Sequence, residues 1–176
     1  MNERTRFLAI GAVVVVLAAA AGYATYRSSS DDTARQQAVT QLTANSLSDL
    51  AGNPRRLAEW KGKVIVANFW ATWCEPCREE MPGLMRIQSK LGGSGLAIVG
   101  IAVDSADKVQ AFSKQYGINY PLLLSGLETV GLLRNLGNEA GGLPFTLVLD
   151  RAGTLVGTHL GRISEEQLEQ IVKPLL

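Results

Sequence analysis

Residues 64–77 read VIVANFWATWCEPC, and this stretch decides the fold. Its first half is a run of apolar and β-branched residues, which is typical of a strand buried on both faces of a sheet. Its second half ends on two cysteines, Cys74 and Cys77, with Pro76 between them. Proline suits the first turn of a helix, where a backbone N–H would lack a partner anyway. The sequence therefore predicts a buried strand that delivers a cysteine pair to the start of a helix over roughly residues 76–90.

The position of this pair predicts redox chemistry. Free amides and the helix dipole at a helix start stabilise a thiolate at Cys74, and the thiolate is the form that attacks a disulfide. Cys77 lies one turn further along, close enough to release a mixed disulfide by bonding to Cys74. The chain has no other cysteine. Because a bridge across so short a loop adds little stability, the pair is expected to be reactive rather than architectural.

Strands and helices alternate through the rest of the chain. Later strands are predicted at 96–103, 121–124, 145–149 and 155–160, and later helices at 106–116, at 127–136 and after a capping box at 164–167. This order predicts an α/β fold, a mixed β-sheet flanked by helices, in a domain over residues 46–176.

The N-terminal segment has a different character. Residues 7–26 carry no charge, and as a helix they would span about 30 Å, enough to cross a bilayer core. A transmembrane anchor, a cleaved signal peptide and a buried core helix remain open, with length favouring the anchor. The first two place the domain outside the cytoplasm. In the anchor interpretation, residues 1–6 are cytoplasmic and the polar residues 27–45 are a linker.

These motifs resemble the TlpA/ResA group of extracytoplasmic thiol–disulfide oxidoreductases in the thioredoxin superfamily. The apolar segment, the linker, WCEPC at 73–77, an inserted segment at 104–126 and GLPFTLVLD at 142–150 occur in the order of that group. The resemblance implies a thioredoxin-like fold that reduces disulfides of extracytoplasmic client proteins, such as apocytochrome c or copper-site assembly proteins. It also implies an upstream membrane thiol electron donor and a location at the inner membrane, with the domain in the periplasm or its equivalent. We expect a monomer whose redox-active disulfide is its sole cofactor.

The same resemblance identifies Pro144 as a cis-proline. A cis bond there would bring the Leu143 backbone beside Cys74, where its N–H and C=O could pair with an extended substrate strand. Trp73 could offer an apolar docking surface, with core packing as the alternative. Substrate contacts are therefore expected at Trp73, Pro76, Leu143 and Pro144.

One position departs from thioredoxin itself, which has a buried aspartate that assists proton transfer where this chain has Asn68. An amide cannot act as a general base, so water or another carboxylate must do so. Glu75 adjoins both cysteines and is the candidate, with a solvated surface glutamate as the alternative; Glu79 and Glu80 are expected on a solvated helix face. A negative charge at Glu75 would disfavour the Cys74 thiolate, so we predict a reductant rather than a strong oxidant.

Composition weighs against other function classes. The chain has 17 basic and 16 acidic residues without a basic stripe, so nucleic-acid binding has no electrostatic support. A Cu(I)-binding metallochaperone is the main alternative because two thiolates suit Cu(I). However, His159 is the sole histidine and is expected to be a strand residue, so no metal site is predicted. A non-catalytic interaction domain is a further alternative, and a thiol peroxidase is disfavoured because its usual Thr-x-x-Cys setting is missing.

Overall fold

The computed structural model describes the backbone of residues 3–176. It also describes the side chains of these residues except those at 3–10, 12–16, 24, 27–32, 127, 128 and 130. The chain divides into two compact units, Met1–Arg35 and Gln36–Leu176.

The first unit is helical. Helix α1 begins at Glu3 and ends at Ala44, and its residues up to Arg35 belong to this unit. Among the described residues, no helix has the length and apolar character needed to span a membrane. Many side chains of the expected membrane segment 7–26, and those of the expected cytoplasmic segment 1–6, lie outside the described residues.

The second unit is built around one mixed sheet. Its strands are β1 (Leu47–Asp49), β2 (Pro54–Arg55), β3 (Val64–Trp70), β4 (Leu96–Ala102), β5 (Leu122–Leu124), β6 (Phe145–Leu149) and β7 (Leu155–Leu160). Its helices after α1 are α2 (Glu75–Leu91), α3 (Ala106–Tyr116), α4 (Leu127–Arg134) and α5 (Glu165–Val172). The strand order is β2-β1-β5-β4-β3-β6-β7. β3, β4 and β5 are parallel neighbours, whereas β6 runs antiparallel to β3 and β7 antiparallel to β6. This is the thioredoxin-like α/β fold with a mixed sheet that the sequence predicts.

Strand β3 is the centre of the sheet, and every one of its residues is buried. Its side chains alternate between two apolar clusters, one on each face. Trp70 joins the cluster that contains both cysteines and the buried side of α2, while Phe69 joins the cluster on the opposite face. Burial on both faces explains the continuous apolar run in the sequence and makes β3 a fixed support for the cysteine pair.

The end of α1 belongs to the folded unit. Ala38, Val39 and Leu42 are buried in the cluster around Phe69. The compact unit begins at Gln36, and within the expected linker 27–45 the residues from Gln36 to Ala44 are helical. The signal in the sequence is weak because three apolar residues at helical spacing stand among polar ones, and the polar composition dominates the pattern.

Candidate active site

The cysteine pair lies where β3 passes into α2. Cys74 is the N-cap residue of α2, with an extended backbone at φ −84° and ψ 106°. The backbone N–H of Cys77 donates to Sγ of Cys74 over 3.3 Å, which satisfies one of the amides left unpaired at the helix start. The two sulfurs are joined in a disulfide. The structure thus places Cys74 where a helix stabilises negative charge.

The two cysteines differ in their access to solvent. Cys74 is 5% exposed, whereas Cys77 is fully buried. Trp73, Glu75 and Pro76 surround Cys74 on the exposed surface, and Trp73 is 67% exposed. Core packing of Trp73 is therefore excluded, and a partner protein can approach Cys74 across this indole.

Asp104 anchors the loop that leads into Cys74. Both the hydroxyl and the backbone N–H of Thr72 donate to the Asp104 carboxylate, the N–H over 3.3 Å. Burial acts to raise the pKa of Asp104, but hydrogen bonds from Thr72 and Ser105 hold it below its ordinary value. Asp104 directly precedes the N-cap position of α3. Ser105 occupies that position without a side-chain cap bond, while Asp104 binds the active-site loop instead.

A buried carboxylate lies one helical turn beyond Cys77. Glu80 is 3% exposed, and its Oε1 accepts a hydrogen bond from Asn68 Nδ2 over 2.7 Å. Its Oε2 accepts from the backbone N–H of Ile163 over 2.9 Å. The expectation that Glu80 lies on a solvated face is wrong, because its spacing from Cys77 places both on the buried side of α2. Glu79 does lie on the surface, where it pairs with Arg162.

Burial raises the pKa of Glu80 from 4.5 to about 7. The hydrogen bonds from Ile163 and Asn68 and the charge of Arg162 act in the opposite direction and are outweighed. A carboxyl group that exchanges its proton near neutral pH is suited to general acid–base chemistry. The nearby Tyr120 hydroxyl is also buried and has no hydrogen-bond partner among the described residues.

Asn68 occupies the centre of this polar cluster. Its Nδ2 donates to Glu80 and, over 3.1 Å, to the hydroxyl of Thr146 on β6. Both donors of the amide are thereby used, and Asn68 Oδ1 has no partner among the described residues. Asn68 cannot take up a proton, but it fixes the carboxylate that can.

The loop before β6 is shaped by a second buried amide. The side chain of Asn138 donates to the carbonyl of Gly142 over 2.9 Å and accepts from its N–H over 2.8 Å. The peptide bond between Leu143 and Pro144, just beyond Gly142, is cis. Leu143 is half-buried, and its backbone forms no hydrogen bond with the described residues. The sequence gives no signal for Asn138, since a lone asparagine in a Gly-rich loop is usually a turn residue.

Metal-ligating side chains do not converge in the part of the chain that the structure describes, where no three His, Cys, Asp or Glu residues are grouped. His159 lies on β7 opposite Thr146, and its Nε2 is 3.1 Å from the carbonyl of Arg162.

The titration of Glu80 predicts a pH-dependent stability. Between about pH 4.5 and 7 the folded chain keeps a proton on Glu80 that the unfolded chain has lost, so stability falls as pH rises through this window. Replacing Glu80 by Gln should reduce the fall in the free energy of unfolding between pH 5 and 8 by about 1–3 kcal/mol. Urea unfolding of the oxidised protein at several pH values measures it. Glu79→Gln is the matched control and should keep the wild-type slope; an unchanged slope in Glu80→Gln would contradict the assignment.

Comparison with known proteins supports the same chemistry. The model of the AhpC/TSA family matches residues 36–158, beginning where the folded unit begins. The thioredoxin-like protein YneN of Bacillus subtilis is 32% identical over 164 residues, covering 91% of this chain and 93% of its own. The thiol-disulfide oxidoreductase ResA of Bacillus anthracis is 29% identical over 175 residues, covering 98% of both chains.

Solved structures agree in fold. A thiol:disulfide interchange protein of the thioredoxin family from Chlorobium tepidum superposes with a TM-score of 0.66 at 33% identity, covering 74% of this chain and 92% of its own. A secreted thiol-disulfide isomerase from Corynebacterium glutamicum gives a TM-score of 0.67 at 28% identity, covering 73% and 80%. The chain belongs to the AhpC/TSA family and is a TlpA/ResA-like thiol–disulfide oxidoreductase of the thioredoxin superfamily.

Proposed function

We propose that this chain reduces disulfides of extracytoplasmic client proteins through Cys74 and Cys77. The observation that carries the proposal is the asymmetry of the pair: Cys74 caps a helix and keeps a small exposed area, whereas Cys77 is fully buried. The Cys74 thiolate attacks one sulfur of the client disulfide, forming a mixed disulfide and releasing the other client sulfur as a thiolate. Cys77 then attacks Sγ of Cys74, so the client leaves with two thiols and the enzyme keeps the disulfide.

Each cycle needs two electrons from outside. The Cys74–Cys77 disulfide is the state shown by the structure, and it must be reduced before another client disulfide can be attacked. We propose a membrane thiol protein as the electron donor. The donor would attack Cys74 as well, because Cys74 keeps some exposed area and Cys77 has none.

Cys77 must lose its proton before it can attack, and Glu80 is the group we propose to accept it. Both residues lie on the buried face of α2, one turn apart, and the carboxyl group exchanges its proton near neutral pH. Asn68 and the Ile163 N–H hold the carboxylate in place. This assignment moves the proton-transfer role from Glu75, which is exposed, to Glu80.

Glu75 retains an electrostatic role in the proposal. As the first residue of α2 it places a negative charge beside Cys74, and this charge opposes the thiolate. The reduced form is therefore less strongly stabilised than it is in a powerful oxidant. This favours reduction of client disulfides over their formation.

The client is proposed to dock across two surfaces beside Cys74. Trp73 and Pro76 offer exposed apolar contact, and the unpaired backbone of Leu143, ahead of Pro144, can add an extended client strand by main-chain hydrogen bonds. Apocytochrome c and copper-site assembly proteins are the proposed clients, on the strength of the resemblance to the TlpA/ResA group.

The proposed location is the outer side of the inner membrane. The uncharged segment 7–26 and the basic residues before it support a single-pass anchor, with the domain facing the periplasm or its equivalent as a monomer. The Corynebacterium relative is described as secreted, which agrees with this side of the membrane.

Reduction of insulin by dithiothreitol tests the proposed activity. The wild-type chain should accelerate it, and Cys74→Ser should abolish the acceleration because no nucleophile remains. Cys77→Ala should instead accumulate a mixed disulfide that identifies the client when trapped in cells. Lys61→Ala, on the exposed surface, is the control. Equal activity in wild type and Cys74→Ser would contradict the proposal.

The role of Glu80 is separable from that of the cysteines. Glu80→Gln should leave attack by Cys74 unchanged and slow release of the mixed disulfide at pH 7 by about 100-fold, the usual size of a lost general base. Stopped-flow fluorescence of Trp73, next to the nucleophile, follows both steps. The deficit should shrink at high pH, where hydroxide can accept the Cys77 proton in place of the carboxylate. Glu79→Gln should behave as wild type, and a normal release rate in Glu80→Gln would remove Glu80 from the mechanism.

A further inference from the structure

A groove runs between α2 and the C-terminal part of α3. It encloses about 660 Å³. Its apolar lining comes from Met81, Met85, Phe112, Tyr116 and Ile118. α3 belongs to the inserted segment 104–126, so the groove is formed by the active-site helix and by the insertion together.

The floor of this groove is an aromatic row that reaches the surface. Phe112 packs against Trp70 of β3 at 5.2 Å between ring centroids and stacks on Tyr116 at 4.3 Å. Tyr116 is nevertheless 50% exposed. Met85, Phe112 and Ile118 are half-buried, so the apolar lining is partly open to water and can be covered by a bound partner.

The charge of the groove selects its occupant. The chain as a whole is nearly neutral, yet the lining contains three cations, Arg78, Arg86 and Lys90, and no carboxylate. Arg86 and Lys90 pair with Glu165 and Glu169 of α5, which lie outside the lining, and both remain more than half exposed.

Arg78 differs from the other two cations, because it has no ion pair among the described residues and lies one turn beyond Cys74. A segment that carries carboxylates would complement this rim, whereas a basic one would be repelled.

The length of the groove fits a peptide. Residues 78 to 90 of α2 span about 18 Å along the helix axis. An extended chain covers that distance with about five residues. The end at Arg78 adjoins the cysteine pair, so a chain lying in the groove can present a neighbouring disulfide to Cys74.

We propose that this groove binds an acidic, partly apolar segment of the client polypeptide next to the cysteine that Cys74 attacks. The inference rests on the proposed function and adds to it a basis for client selection. Apolar side chains of the segment contact the aromatic floor, and its carboxylates pair with the cationic rim. A small disulfide reaches Cys74 without touching the groove.

Matched peptides test this proposal. Each peptide carries one cysteine, which forms a disulfide with 2-mercaptoethanol. Beside the cysteine lies a five-residue segment in which leucines alternate with Glu, Gln or Lys. Each segment is tested on the N-terminal and on the C-terminal side of the cysteine. The reduced full chain should reduce the better Glu peptide about tenfold faster than the Lys peptide, with Gln between them. The double variant Arg86→Glu/Lys90→Glu should bring this ratio below about twofold, and Tyr116→Ala should slow all three peptides.

Two controls separate the groove from the chemistry. Lys61→Glu/Lys63→Glu changes the net charge equally on another exposed surface and should keep the wild-type ratio. Bis(2-hydroxyethyl) disulfide should react equally with wild type and all variants. No peptide preference in the wild type, or a preference that survives in Arg86→Glu/Lys90→Glu, would overturn the groove proposal while the proposed function stands. Failure of the wild type to reduce the small disulfide would overturn the proposed function itself.

Discussion

The hydrogen bond from the Cys77 amide to the Cys74 sulfur, at the first turn of α2, is the contact on which the proposed chemistry depends. It exists because β3 ends at Trp70 and the chain enters a helix within a few residues. β3 is buried on both faces and paired with a strand on each side, so the point at which it releases the chain is fixed. Asp104 adds a second restraint by binding Thr72 within the connecting loop. The surrounding fold therefore fixes the site of negative charge before any substrate arrives.

The second constraint is a carboxylate buried behind the disulfide. Burying Glu80 is unfavourable for its charged form, and the hydrogen bonds from Asn68 and Ile163 offset only part of that cost. A neutral, apolar residue would avoid this cost, so a carboxyl group at this position fits the proposed role in proton transfer. The arrangement also explains Asn68: an aspartate at that position would place a second carboxylate against Glu80, and like charges at hydrogen-bond distance cannot both ionise. Thr146 on the neighbouring strand completes the cluster.

Much of the fold follows from local pattern. The buried run of β3, the second apolar strand β4 and the capping box of Ser164 and Gln167 each have a direct physical signature, and the structure contains all three. The cysteine pair at the helix start was equally predictable, because its chemistry depends on near neighbours in the sequence.

What the sequence does not reveal depends on contacts between distant segments. In the sequence, Glu80 resembles a surface residue like its neighbour Glu79. Its hydrogen-bond partners, Asn68 on β3 and Ile163 before α5, are known only from the structure. The role of Asp104 is hidden for the same reason, since it binds Thr72 of another loop. Asn138 binds Gly142 within its own loop, but a lone asparagine there has no distinguishing pattern. The packed end of α1 is partly visible in the sequence, because Val39 and Leu42 have helical spacing. The tertiary structure is needed to show which residues cover them.

The central claim is that Cys74 is the reactive sulfur and Cys77 the protected one. Brief alkylation of the reduced protein with iodoacetamide at pH 7, followed by mass spectrometry of the peptides that carry each cysteine, measures this directly. The account predicts that Cys74 is modified at least about ten times faster than Cys77, and that the difference disappears in urea. Equal rates in the folded protein, faster reaction at Cys77, or inertness of both sulfurs would contradict it.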